Sequence, residues 1–207
     1  MKKKHPLRKY VDLCEKRQKE VIKLIHFLDC NGFDIAPASS GLDKHCCEEG
    51  GLVKHVSNVC DTILKLRESI APDVDLESCI ITALFHDSHK VCDPFGKPLY
   101  LPNMIKDGKP KQGEKQAFKV SDKKPYKKNN QMVPILDAYQ SVIIVSRFIQ
   151  LSPDEMQAIA CHDGQYVFAN REVAQREFPL TLILHWADMW SCRVLESKKE
   201  QFELEVK

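Results

Sequence analysis

Residues 84–90 read LFHDSHK, which sets His86 and Asp87 side by side behind an apolar run, with His89 and Lys90 directly after. An uncompensated carboxylate in apolar surroundings costs several kcal/mol or more, so Asp87 calls for a cation or for a segment less buried than its neighbours suggest. Asp188 has the same need, because LILHWADMW surrounds it with apolar residues. His55 and His162 also stand in stretches that read as helices. Each histidine taken singly reads best as a hydrogen-bonded structural residue. The ordered set His55, His86-Asp87, His162 and Asp188 reads instead as a metal centre. Imidazole and carboxylate together suit a borderline or hard divalent ion: Mn, Fe, Co, Ni, Zn or Mg.

Helices packed side by side are the scaffold that brings such residues together. Residues 7–29 carry apolar positions at helical spacing among many charges, which predicts an amphipathic helix. NGFDIAPASSG is a loop, and residues 51–70 return to helical spacing until Pro72 stops them. Asp75 is placed to N-cap a helix from Leu76 to about His86. Residues 92–133 differ: ten lysines between 97 and 128 face only Asp107, Glu114 and Asp122. Apolar stretches on either side of Asp107-Gly108 predict a β-hairpin or extended flap there. Helices resume over about 135–151. Ser152, Pro153 and Glu155 form a capping box for the next helix, which closes at Gly164 with His162 in its last turn. A final helix spans PLTLILHWADMWSCRVLE. The expected fold is mostly helical.

A length of 207 residues suits one domain with a substantial core. A net charge of +2 leaves any nucleic-acid role to a local patch, of which the lysine-rich flap, interleaved with Phe95, Tyr100, Phe118 and Tyr126, is the candidate. The first reading of the flap is a solvated insertion whose charges keep it soluble, and its aromatics serve equally to anchor it to the core. No Cys-x-x-Cys pair occurs among the nine cysteines, which argues against a zinc finger and for small core hydrophobes. No signal peptide or membrane span is read in the chain, and scattered thiols fit a cytoplasmic protein.

The order His55…His86-Asp87…Asp188 resembles the HD-domain metal-dependent phosphohydrolase superfamily, whose signature is His…His-Asp…Asp on an all-helical scaffold. The resemblance runs from about Ala36 to Glu196. APASSGLDKHCCEEGGLVKH is similar to a segment of one bacterial and phage-associated branch that ends in Glu-Gly-Gly-Leu-x-x-His, and ALFHDSHK to its Leu-His-Asp-x-x-Lys. The chain departs from that branch at PILDAYQS, where Asp137 stands in place of a histidine.

The resemblance implies an all-α HD-domain bundle with the flap as an insertion at about 92–133. It implies one or two divalent ions: His55, His86, Asp87 and Asp188 hold the first, with Asp137 and His162 available to a second and Asp87 as the bridge. Asp137 reads equally as a helix N-cap. A metal-activated water would hydrolyse a nucleotide-type phosphate ester. Lys90, at i+4 from His86, would meet the substrate phosphate, and its other reading is a solvated helix-end lysine. His45 could reach the site from its loop. His89 is expected at the surface, and His185 behind the site or at the surface. The alternative is a phosphodiesterase or 3'-5' exonuclease on single-stranded nucleic acid or cyclic nucleotides. A non-catalytic nucleotide-binding module is a third reading.

Overall fold

The computed structural model describes residues 5–110, 112–113 and 115–197. Seven α-helices lie among them: α1 (Arg8–Val11), α2 (Gln18–Cys30), α3 (Gly51–Ile70), α4 (Leu76–Phe85), α5 (Asp137–Ser146), α6 (Pro153–Cys161) and α7 (Pro179–Trp190). The protein is mostly helical. No described helix is long and apolar enough to cross a membrane.

α4 is the hub. Every residue of it from Glu77 to Phe85 is buried, and α3, α6 and α7 pack around it. Asp75 caps α4 by accepting from the Ser78 amide at 2.9 Å. α3 buries Leu52, His55, Val56, Val59, Cys60 and Ile63, one stripe at helical spacing. Its entry depends on two glycines. Gly50 takes a left-handed φ of 73°, and a Cβ on Gly51 would stand 2.1 Å from the Cys46 carbonyl oxygen. The GGL sequence therefore fixes where α3 starts, one turn before His55. None of the nine cysteines is disulfide-bonded, and seven are buried as core residues.

The single helix expected over 7–29 is two. α1 ends near Asp12, and the chain re-enters helix only at Gln18. The reason lies in tertiary contacts: the Lys16 amide donates to Glu77 (2.8 Å) and the Arg17 guanidinium to both Glu77 (2.6 Å) and Glu155 (2.7 and 2.9 Å). Those bonds compete with a continuous helical ladder.

The expected flap is a hairpin of four short strands in two nested antiparallel pairs: β1 (Tyr100–Pro102) with β4 (Tyr126–Lys128), and β2 (Met104–Lys106) with β3 (Phe118–Val120). Asp107 and Ala117 close its far end, where the Asp107 amide donates to the Ala117 carbonyl. Near its base, the Leu42 amide donates to the Lys123 carbonyl and the Tyr126 amide to that of Ser40. The flap thus lies along the loop that precedes α3.

Candidate metal centre

Each cluster residue comes from the end of an element. His55 is in the first turns of α3, and His86 and Asp87 follow the last residue of α4. His162 caps the C-terminus of α6, and Asp188 lies in the last turn of α7. His55 Nε2 stands 3.3 Å from His86 Nε2, 3.4 Å from Asp87 Oδ2 and 3.2 Å from Asp188 Oδ1. His86 Nε2 is 3.3 Å from Asp87 Oδ2 and 3.8 Å from Asp188 Oδ1. Asp87 turns its other oxygen toward His162 Nε2, at 3.7 Å.

The other ring nitrogens are committed. His86 Nδ1 donates to the Ala83 carbonyl (2.9 Å), His162 Nδ1 to that of Ile159 (2.8 Å), and His55 Nδ1 to Glu196 (3.1 Å). With its Nδ1 protonated, a neutral imidazole presents a lone pair at Nε2. Three such lone pairs and two carboxylates then converge on one volume, which only a positive charge can hold together. Bonds of about 2.0–2.2 Å to a shared ion put neighbouring ligand atoms roughly 3.0–3.5 Å apart, and most of the spacings here fall in that interval. The donor set fits a divalent metal. Two of the groupings that could hold one are His55, His86 and Asp188, and His86, Asp87 and His162.

The protonation of the centre follows the same crowding. Burial pulls His55 down, but Asp188, Asp87 and Glu196 outweigh it and hold the imidazole well above its usual range. His162 rises to about 9, with Asp87 and Asp163 overcoming burial. Asp87 is held well below the carboxylate range by Lys90 and His86 against its own burial. Protons stand in for cations wherever the carboxylates gather.

Lys90 sits on a 3-10 turn over Ser88–Lys90 rather than one α-turn beyond His86. Its ammonium lies 2.6 Å from Asp87 Oδ2 with its side chain 17% exposed, so it is not a solvated helix-end charge. His45 lies at the rim, its Nε2 3.4 Å from Cys192 Sγ, and burial and Lys90 lower it to about 4. Asp137 is not drawn into the cluster. It is the first residue of α5 rather than its cap, 41% exposed, paired with Lys128 at 2.5 Å and 4.0 Å from His89. His89 is a correction: it is buried, not at the surface. Its backbone amide donates to the Ser141 hydroxyl, which stands 3.0 Å from its Nδ1, and burial lowers its pKa to about 3. His185 is behind the site, donating to the His162 carbonyl (2.6 Å) and packed where a Cβ on Gly164 would clash with it.

Sequence reasoning missed Glu196 and Cys192. After α7 the chain makes a π-helical turn over Ser191–Leu195, which brings Glu196 onto His55 and Asn58. Cys192 Sγ donates to Asp188 Oδ1 at 3.3 Å. The signal was present as Asp188, Cys192 and Glu196 at i, i+4 and i+8, one face of a helix. Comparison of the chain with family models, with curated proteins and with solved structures found no match.

Proposed function

We propose that the chain is a metal-dependent phosphohydrolase of the HD type, acting on a nucleotide-type phosphate ester. The observation that carries this reading is the facing pair of Nε2 atoms, His55 and His86, 3.3 Å apart between Asp87 and Asp188 with both Nδ1 atoms already bonded. The order of those four residues along the chain is that of the HD signature. His55, His86, Asp87 and Asp188 would hold a divalent ion, which would lower the pKa of water and offset charge on the phosphoryl oxygen. Asp87 Oδ1 and His162 are the residues on hand for a second ion, and Asp137 would have to leave Lys128 to join them. Lys90 brings a compact ammonium to the edge of the centre, where a phosphoryl oxygen can meet it as a point charge. Hydrolysis joins the water oxygen to phosphorus, breaks the ester P–O bond and leaves the water's proton on the departing oxygen.

The test is metal analysis of the purified protein, then a panel of nucleotide mono-, di- and triphosphates with Mn, Co, Ni and Mg. Asp87→Ala should lose both bound metal and hydrolysis while its far-ultraviolet circular dichroism stays helical. Full metal occupancy in that variant overturns the assignment. Metal binding with no turnover on any phosphate ester leaves the binding-module reading in its place.

A further inference from the structure

Two cavities share a wall, and the first of them borders the centre. The first, about 910 Å³, is bordered by Asp188 and Cys192 and walled by Lys44, Tyr166 and Arg193. The second, about 710 Å³, lies between residues 40–44 and the flap residues Asp122, Lys123 and Lys124. Asp43 and Lys44 line both, so the cavity that borders the centre and the cavity against the flap adjoin at this pair. Backbone hydrogen bonds from Leu42 to Lys123 and from Tyr126 to Ser40 hold the second cavity's walls together.

Together the two cavities exceed the room that one small ligand fills. One drug-sized ligand fills a pocket of roughly 300–1,000 Å³, and the first cavity alone comes close to that ceiling. Tyr166 is 75% exposed, and the Arg193 guanidinium stands 5.5 Å from its ring centroid. An exposed tyrosine with a guanidinium over its ring is a surface on which a nucleobase stacks. Asp122 is taken by Lys119 at 2.8 Å, and Asp163 belongs with His162 and Asp188 at the centre. That leaves Asp43 against Lys44, Lys123, Lys124 and Arg193 along the path.

We infer that the paired cavities bind a single-stranded oligonucleotide, one base on Tyr166 and Arg193 and the flanking phosphates on Lys44, Lys123 and Lys124. The chemistry rests on the phosphohydrolase reading; the binding does not. The bond cleaved would be a phosphodiester: water oxygen joins phosphorus, the bond to the leaving sugar oxygen breaks, and that oxygen keeps the water's proton.

The experiment is fluorescence anisotropy of labelled hexathymidylate and hexauridylate with the full chain in chelator, where no hydrolysis depletes the probe. Three lysine–phosphate contacts at about −0.7 each give a log–log salt slope near −2. Lys123→Ala/Lys124→Ala should flatten it by about 1.4, while Lys106→Ala/Lys109→Ala, toward the far end of the flap, should leave it unchanged. Tyr166→Ala should weaken binding roughly five- to a hundred-fold at unchanged slope. Failure of both hexamers to bind overturns the inference. So does displacement by thymidine monophosphate as effective as by unlabelled hexamer, or an equal loss from the far-end pair. Hexamer binding with no hydrolysis of the hexamer or of any nucleotide under any metal sinks the phosphohydrolase reading and leaves the groove standing. Mononucleotide turnover without hexamer binding does the reverse.

Discussion

At the scale of single residues, the centre is a competition among cations for Asp87. The Lys90 ammonium already occupies Asp87 Oδ2, and Asp87 together with Tyr100 and Asp188 raises its pKa despite burial, so it is charged throughout the ordinary pH range. Lys90→Met keeps the stem and removes that cation. A charge-assisted hydrogen bond contributes about 1.5–3 kcal/mol, so divalent metal should bind roughly ten- to a hundred-fold more tightly in the variant by calorimetry. On the proposed phosphohydrolase function, hydrolysis should fall by a similar factor, because the substrate would lose its point charge. Unchanged metal affinity would mean that the ion pair is incidental. Glu196 acts from the other side, fixing the ring of His55 through Nδ1 while Asn58 holds its own carboxylate at 2.8 Å. Partners of this kind typically contribute ten- to a hundred-fold in metal affinity. Glu196→Gln is expected to lose that much while the fold, read by circular dichroism, is unchanged.

At the scale of elements, Arg17 ties the entry of α2 to the first turn of α4 and to the capping box of α6. Glu155 does double duty: it accepts from the Ser152 amide as the box requires, and it receives the Arg17 fork. Both carboxylates are buried, so Arg17→Ala leaves two uncompensated charges and should cost about 3–5 kcal/mol in denaturant unfolding. The pH dependence follows from the same network. Burial raises the Glu155 pKa, but Arg17 and the Ser152 amide outweigh it, so the folded value lies below the unfolded one. The contribution of Glu155 is therefore complete above its unfolded pKa and is lost as pH falls through the lower folded value. Between about pH 5 and 3 the wild type should lose thermal stability more steeply than Glu155→Gln, as calorimetry across that range would read. Parallel curves would remove Glu155 from the acid transition.

At the scale of the whole molecule, the cluster residues come from α3, α4, α6 and α7, so an ion held by them would link the helices of the core to one another. A ligand present at a hundred times its Kd stabilises the folded state by about 2.7 kcal/mol. For a chain of this length that corresponds to a Tm increase on the order of 5–10 °C. Differential scanning fluorimetry with Mn, Co, Ni, Zn and Mg against chelator should show such a rise, reduced or abolished in Asp87→Ala. A Tm independent of every metal would exclude the centre as a binding site for these ions.

Local chemistry determined much of this protein in advance. The Asp75 cap, the Ser152–Glu155 box, the α3 stripe and the hairpin near Asp107-Gly108 follow from side chains acting within a few residues of themselves, which any window of sequence contains. The grouping of His55, His86, Asp87, His162 and Asp188 was legible for a related reason: polar residues inside apolar runs must find partners, and helices packed side by side can supply them. Tertiary structure decided the rest. Arg17 broke the first helix because two buried carboxylates from distant segments outbid its local ladder. His89 went inside because Ser141, 52 residues away, satisfies it, and Asp137 stayed outside because Lys128 of the flap reaches it first. Lys90 turned onto Asp87 when the backbone tightened into a 3-10 turn, and Glu196 reached His55 across 141 positions through a π turn. For Arg17, His89 and Glu196 the deciding partner is close in space and far along the chain. For Lys90 and Asp137 it is near in sequence but reached through a backbone turn or a flap, so periodicity carries no information about any of them.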